Sequence, residues 1–203
     1  MKRTAAKKLE TMNALVNPEP SAPSSGLPFP EEHPFVATVF ALDQRTLLRL
    51  TAVPAAYAIA FQHDEAGQIV DLRSAPVEAV VSSQNEGLIL ATLQVITLSP
   101  NSAAIKLRTS GKFIVDGLNV DRHRWKRDGW KKSNGKDLTR ADCWKEIDSL
   151  IIAKKLNVEG YHVPSREAEG DFVFEVLRTL ATGERDKHGR EIGAPLSGFS
   201  SEE

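Results

Sequence analysis

Cysteine is almost missing from this chain: Cys143 is the only one in 203 residues. An internal disulfide framework is therefore excluded, and a reducing intracellular compartment, cytoplasmic or nuclear or nucleoid, is the expectation. Long apolar runs are missing too, since none reaches the roughly 20 residues that a membrane-spanning helix needs, so no membrane partner is expected. The basic stretch Met1–Leu9 has no apolar segment behind it, which argues against a secretory signal. The chain contains no Walker loop, no paired CxxC and no GxSxG elbow, and so offers none of the usual signals for nucleotide, redox or serine-nucleophile chemistry. Charge of one sign is not in excess either: the formal net charge is −1, and it selects no partner.

What is present is an ordinary globular composition, 41% hydrophobic and 26% charged, long enough for one domain with appendages. Ala5, Leu9, Met12 and Leu15 recur at helical spacing and predict a short N-terminal helix, a possible docking arm for a protein partner. Six of the eleven prolines then fall between Pro18 and Pro34, which predicts an extended linker over the rest of 1–34. The folded domain is expected over 35–182, and a tail without periodicity, rich in Gly, Ser and charge, is expected to be disordered over 183–203.

Within the domain, 35–43 reads as a buried central strand, and 56–62 and 69–82 read as antiparallel strands around a turn at Gly67. Residues 85–97 predict a helix, and 103–108 a strand with Ile105 and Leu107 inward and Lys106 and Arg108 outward. Thr109 is a candidate cap for a short helix carrying Phe113 and Ile114. Thr139 with Asp142 three residues on resembles a capping box that opens a helix over 140–154. A fifth strand at 156–160 and a helix over 167–182 complete the order. Strands followed by alternating helices and strands predict an α/β fold: a five-stranded mixed sheet flanked by helices in three layers.

The charge asymmetry is local. Residues 122–136 hold seven basic side chains and one acid, Asp128, with Trp125 and Trp130 among them. A run of charge is most simply a solvated face. Cations that neutralise phosphates, interleaved with flat aromatics that pack on sugars and bases, point instead to nucleic acid. The candidate binding residues are Arg124, Trp125, Lys126, Arg127, Trp130, Lys131 and Lys132.

The same stretch resembles the middle of type 1 ribonuclease H, a family of ribonuclease H-like fold. There a TDS motif opens a helix, followed by a basic protrusion with spaced tryptophans and then a helix bearing D-x-W. Here Trp125, Gly129-Trp130-Lys131, Asp142 and Trp144 keep that order, and 158–171 resembles the family's strand, G-H loop and final helix. The resemblance implies four carboxylates around two magnesium ions that activate water against RNA in an RNA/DNA hybrid. Taken residue by residue, the implied catalytic and metal ligands are Asp43, Glu86 and Asp171. Ser110 stands at the third position, where a neutral hydroxyl cannot supply the charge. The ungapped match puts Gly87 rather than Glu86 at the second position, and the auxiliary histidine falls at Tyr161, beside His162. With this incomplete set, the expectation is a protein that binds RNA/DNA hybrid or double-stranded RNA with impaired or no hydrolysis. Its alternatives are a divergent magnesium-dependent ribonuclease H and a scaffold subunit of a nucleic-acid-containing assembly. On this reading, pairing Ser110→Asp with Gly87→Glu should restore more activity than either change alone.

Overall fold

Alternation of small and large apolar residues lets the first long strand bury both its faces. In a computed structural model, which describes residues 35–42, 45–47, 51–53, 55–63, 67–77 and 83–191, this strand is β1 (Phe35–Leu42). The N-terminal helix and linker expected over 1–34, Asp43, and the segment beyond 191 lie outside the described residues. A two-stranded ribbon follows, β2 (Arg45–Leu47) with β3 (Thr51–Val53), and then β4 (Ala55–Gln62) and β5 (Ile69–Val77). After them come α1 (Gln84–Leu98), β6 (Ala104–Thr109) and α2 (Lys112–Asp116). A π-helical turn (Gly117–Asp121) leads into α3 (Arg122–Arg127). The chain continues through α4 (Ala141–Ala153), β7 (Asn157–His162), α5 (Ser165–Ala168) and α6 (Phe172–Glu191).

The five-stranded sheet has the order β5-β4-β1-β6-β7. Strands β4 and β5 are antiparallel neighbours, β1 is antiparallel to β4 and parallel to β6, and β6 is parallel to β7. This is the mixed sheet read from the sequence.

The two-residue period of a strand sends alternate side chains to opposite faces. Phe35, Val39, Tyr57, Ile59 and Phe61 pack towards α1 and α4, in the larger core. Phe40, Ala56, Ala58 and Ala60 face Phe174, Leu177 and Ala181 of α6, in the smaller one. Alanines on that second face let α6 lie close to the sheet. The result is three layers: α1 and α4, the sheet, and α6.

Three boundaries differ from the sequence expectation. Helix α4 begins at Ala141 behind Arg140, whose left-handed φ of 51° breaks the chain; no side chain caps it, and Thr139 instead accepts a contact from Lys132 Nζ at 3.4 Å. Gly111 rather than Thr109 precedes α2, although Thr109 Oγ1 accepts from the Gly111 amide at 3.1 Å. The last helix is broken at Gly170 and then runs on to Glu191, past the point where a tail was expected.

Helix α1 carries no basic residue in its last turn. Lys154, at the end of α4, supplies the cation from outside: its Nζ donates to the carbonyls of Ile96 (3.3 Å), Thr97 (2.6 Å) and Ser99 (3.0 Å). Orphan carbonyls at a helix end need such donors. Lys154→Met keeps the aliphatic stem and removes the donor, and should cost about 1–2 kcal/mol in a denaturant titration. An unchanged midpoint would show that water replaces the ammonium without loss.

Candidate metal centre and nucleic-acid interface

Parallel strands bring their carboxyl ends to the same edge, and here the ends of β1 and β6 meet the N-termini of α1 and α6. A Cβ at Gly87 would lie 2.7 Å from Ala41 Cβ, and one at Gly111 would lie 2.5 Å from Leu88 Cδ1. Arg108 Nη2 reaches Asp171 Oδ2 at 2.6 Å. The Gly87–Ala41 contact lies on the α1 side of the sheet, in the larger core, while Arg108 and Asp171 meet on the α6 side beside Phe174, at the corner where the end of β6 meets the start of α6.

The implied carboxylates fare differently there. Glu86 is the N3 residue of α1, and its side chain is used structurally. Oε2 accepts from the Ser83 amide at 2.9 Å, closing a capping box with the Ser83 hydroxyl, while Oε1 lies 3.4 Å from Arg140 Nε. Glu86 thus caps its own helix and pairs with Arg140 ahead of α4. Position 87 has no side chain and faces Ala41 and Val77, and Asp43 lies outside the described residues.

Asp171 is in the corner and fully engaged. Oδ1 accepts from the amides of Val173 (2.8 Å) and Phe174 (3.4 Å), the N-terminal donors of α6, while Oδ2 holds Arg108. Ser110 offers its carbonyl to the His162 ring at 3.2 Å, so His162 rather than Tyr161 comes near the third position. Among the described residues, no three His, Cys, Asp or Glu side chains gather as a metal-binding group. Magnesium requires several oxygen ligands, carboxylate above all, in octahedral array. The donors described here do not fit it.

Arg108 was legible only as an outward residue of its strand. Its partner Asp171 lies 63 residues further on, so no local pattern signalled the pair.

The basic segment is built on an aromatic cluster. Trp125 is 3% exposed and Trp144 fully buried, with ring centroids 5.1 Å apart and Phe113 within 5.5 and 5.8 Å of the two. A Cβ at Gly117 would sit 2.4 Å from Trp144 Cη2, so only glycine fits where the π-helical turn crosses these indoles. Trp125 is therefore a core residue, and the expectation that it packs on nucleic acid directly is corrected. Trp130, half-buried with φ 66°, also packs on the core edge, its amide donating to the Trp125 carbonyl at 2.6 Å.

The cations divide into anchors and free arms. Buried Asp148 of α4 holds Lys126 Nζ at 2.8 Å and Arg122 Nε at 3.4 Å, tying α3 to the domain. Burial lowers the Arg122 pKa, partly offset by the Asp148 charge. Arg124 pairs with Asp121 at 2.9 Å and Arg127 with Asp128 at 3.4 Å, both on the exposed surface. Lys131, Lys132 and Lys136 lie exposed on a tight loop held by Lys132 N–H to Lys136 O at 2.8 Å and by a bridge between Lys131 and Asp137. A cleft of about 390 Å³ lies between this loop and the start of α1, with Asn85, Phe113, Arg124, Lys132, Asn134 and Thr139 in its wall.

The sequence matches the family model for RNase H over residues 51–170. A ribonuclease H of Prochlorococcus marinus (strain NATL2A) is 30% identical over 98 residues, 48% of this chain and 58% of that protein. A ribonuclease H of Idiomarina loihiensis is 25% identical over 104 residues, 51% of this chain and 66% of that protein. The chain thus spans 58% and 66% of the length of these two relatives. The foamy viral protease-reverse transcriptase solved with dsDNA superposes at a TM-score of 0.57 and 17% identity, over 79% of this chain and 99% of that one. The PFV RNase H domain gives 0.54 at 16% identity over 79% and 95%. A type 1 RNase H with the type 2 active-site motif gives 0.53 at 15% identity over 78% and 75%. These likenesses show the same fold.

Proposed function

Because the chain belongs to the RNase H family, matched over residues 51–170, we propose that it binds RNA/DNA hybrid or double-stranded RNA without hydrolysing it. The observation that carries this reading is the engagement of Asp171, the one carboxylate among the described positions 87, 110 and 171: Arg108 and two helix amides already hold it. The basic loop and the cleft beside it support the binding half. An A-form duplex exposes 2′-hydroxyls and phosphates across a wide minor groove, which suits a cleft walled by two amides, two hydroxyls and two cations, with Asp121 paired to Arg124. Family relatives named ribonuclease H, and a structural neighbour, the foamy viral protease-reverse transcriptase, solved with an RNA/DNA hybrid, favour hybrid as the first ligand to test.

Trp125 contributes by holding α3 rigid, and Arg124, Lys131 and Lys132 are the contacting groups. Lys126 and Arg127 add positive potential to the same surface. Lys131→Glu with Lys132→Glu should weaken hybrid binding and lower the slope of log K against log salt by about 2, one unit for each lost phosphate contact. Equal affinity and equal slope in the double variant would remove the loop from the interface.

A magnesium-dependent cleaving enzyme is the second reading, and Asp43 together with Asp171 is what it would rest on. A scaffold role through residues 1–34 is the third.

A further inference from the structure

We propose that Arg108 is a built-in cation that takes the place of the divalent ions at the sheet corner and makes this centre independent of metal. The inference rests on the reading of the chain as a non-cleaving family member. It adds a named residue that does the ion's electrostatic work.

Of the three matched positions that the structure describes, 87, 110 and 171, only 171 retains a carboxylate. Among these described positions, that one negative charge is balanced by one guanidinium. The geometry is that of a fixed group. The Arg108 side chain is 18% exposed, and its Nη2 lies 2.6 Å from Asp171 Oδ2. Its guanidinium also rests over the Phe174 ring, 5.9 Å from the centroid, one turn further along the same helix. Salt bridge and ring together fix it from two sides.

Asp171 is left with little to offer an ion, because its other oxygen accepts two helix amides. Any divalent ion approaching it would meet Arg108's positive charge at contact distance. Here the end of β6 and the start of α6 are linked by an ion pair within the chain itself. Arg108 is thus a positioning residue that acts through Asp171.

The test is a manganese titration of the isotope-labelled full chain without nucleic acid, reading paramagnetic broadening of the backbone amides of residues 108–111. Wild type and Arg108→Lys, which keeps the charge, should show no preferential broadening there, and wild type should melt at the same temperature in magnesium and in EDTA. Arg108→Gln releases Asp171 and should broaden these amides several-fold more at equal manganese. Preferential broadening in wild type or in Arg108→Lys overturns the assignment, and so does a folded Arg108→Gln indistinguishable from wild type. If Arg108→Gln fails to fold, Arg108→Lys still decides the matter. Hybrid binding measured on the same wild-type sample in EDTA tests the nucleic-acid reading separately, since its loss would leave the manganese result standing.

Discussion

Gly87→Glu should destabilise the protein and restore no cleavage, alone or with Ser110→Asp. The resemblance by itself implies the opposite, because it places a carboxylate at position 87. The geometry decides against it: a Cβ there lies 2.7 Å from Ala41 Cβ, with Val77 Cγ2 at 3.7 Å. No rotamer relieves a Cβ–Cβ clash, so α1 or β1 must shift, at about 1–3 kcal/mol for overpacking of this kind. The shifted helix would carry the new carboxylate out of register, and misplacement by about 1 Å can cost on the order of 100-fold in rate. Ser110 is half-buried at a strand end, so Ser110→Asp alone should fold normally and remain inactive. Melting curves and a hybrid cleavage assay on the three variants check this. A stable double variant with metal-dependent cleavage would show that the corner still accepts the ions.

Trp144→Ala should be the most damaging single truncation, at about 3–5 kcal/mol of stability. The indole is fully buried and meets Trp125 edge-on at 5.1 Å, Phe113 at 5.8 Å and the bare face of Gly117. Its removal opens a void beneath the π-helical turn that leads into the basic segment, so hybrid affinity should fall along with the melting temperature. Trp144→Phe should cost less, because the indole N–H has no acceptor among the described residues and its loss leaves nothing unpaired. An unchanged melting curve for Trp144→Ala would contradict the packing described here.

The strand pattern was legible because burial follows alternation. Ile105 and Leu107 are inward and Lys106 and Arg108 outward on β6, as their period requires, and β1 is apolar except for Thr38 because both its faces are covered. Trp125 was misread because a tryptophan amid lysines carries the same sequence signal whether it faces a sugar or another indole. Only the three-dimensional meeting with Phe113 and Trp144 separates the two. Glu86 and Gly87 lie about 100° apart on α1, and only the folded chain shows that Glu86 closes a capping box while position 87 packs on Ala41. The Arg108–Asp171 pair joins residues 63 apart in sequence, and no local pattern announces it. Capping of α1 by Lys154 escaped for the same reason.

The central claim is binding without cleavage, and a single sample of wild-type protein with an end-labelled RNA/DNA hybrid tests it. Affinity is measured in EDTA, and the RNA strand is then followed after addition of magnesium or manganese. The account predicts a salt-dependent complex in EDTA and an intact RNA strand with either metal. Cleavage that requires metal and disappears in Asp171→Asn would contradict it and establish a working enzyme.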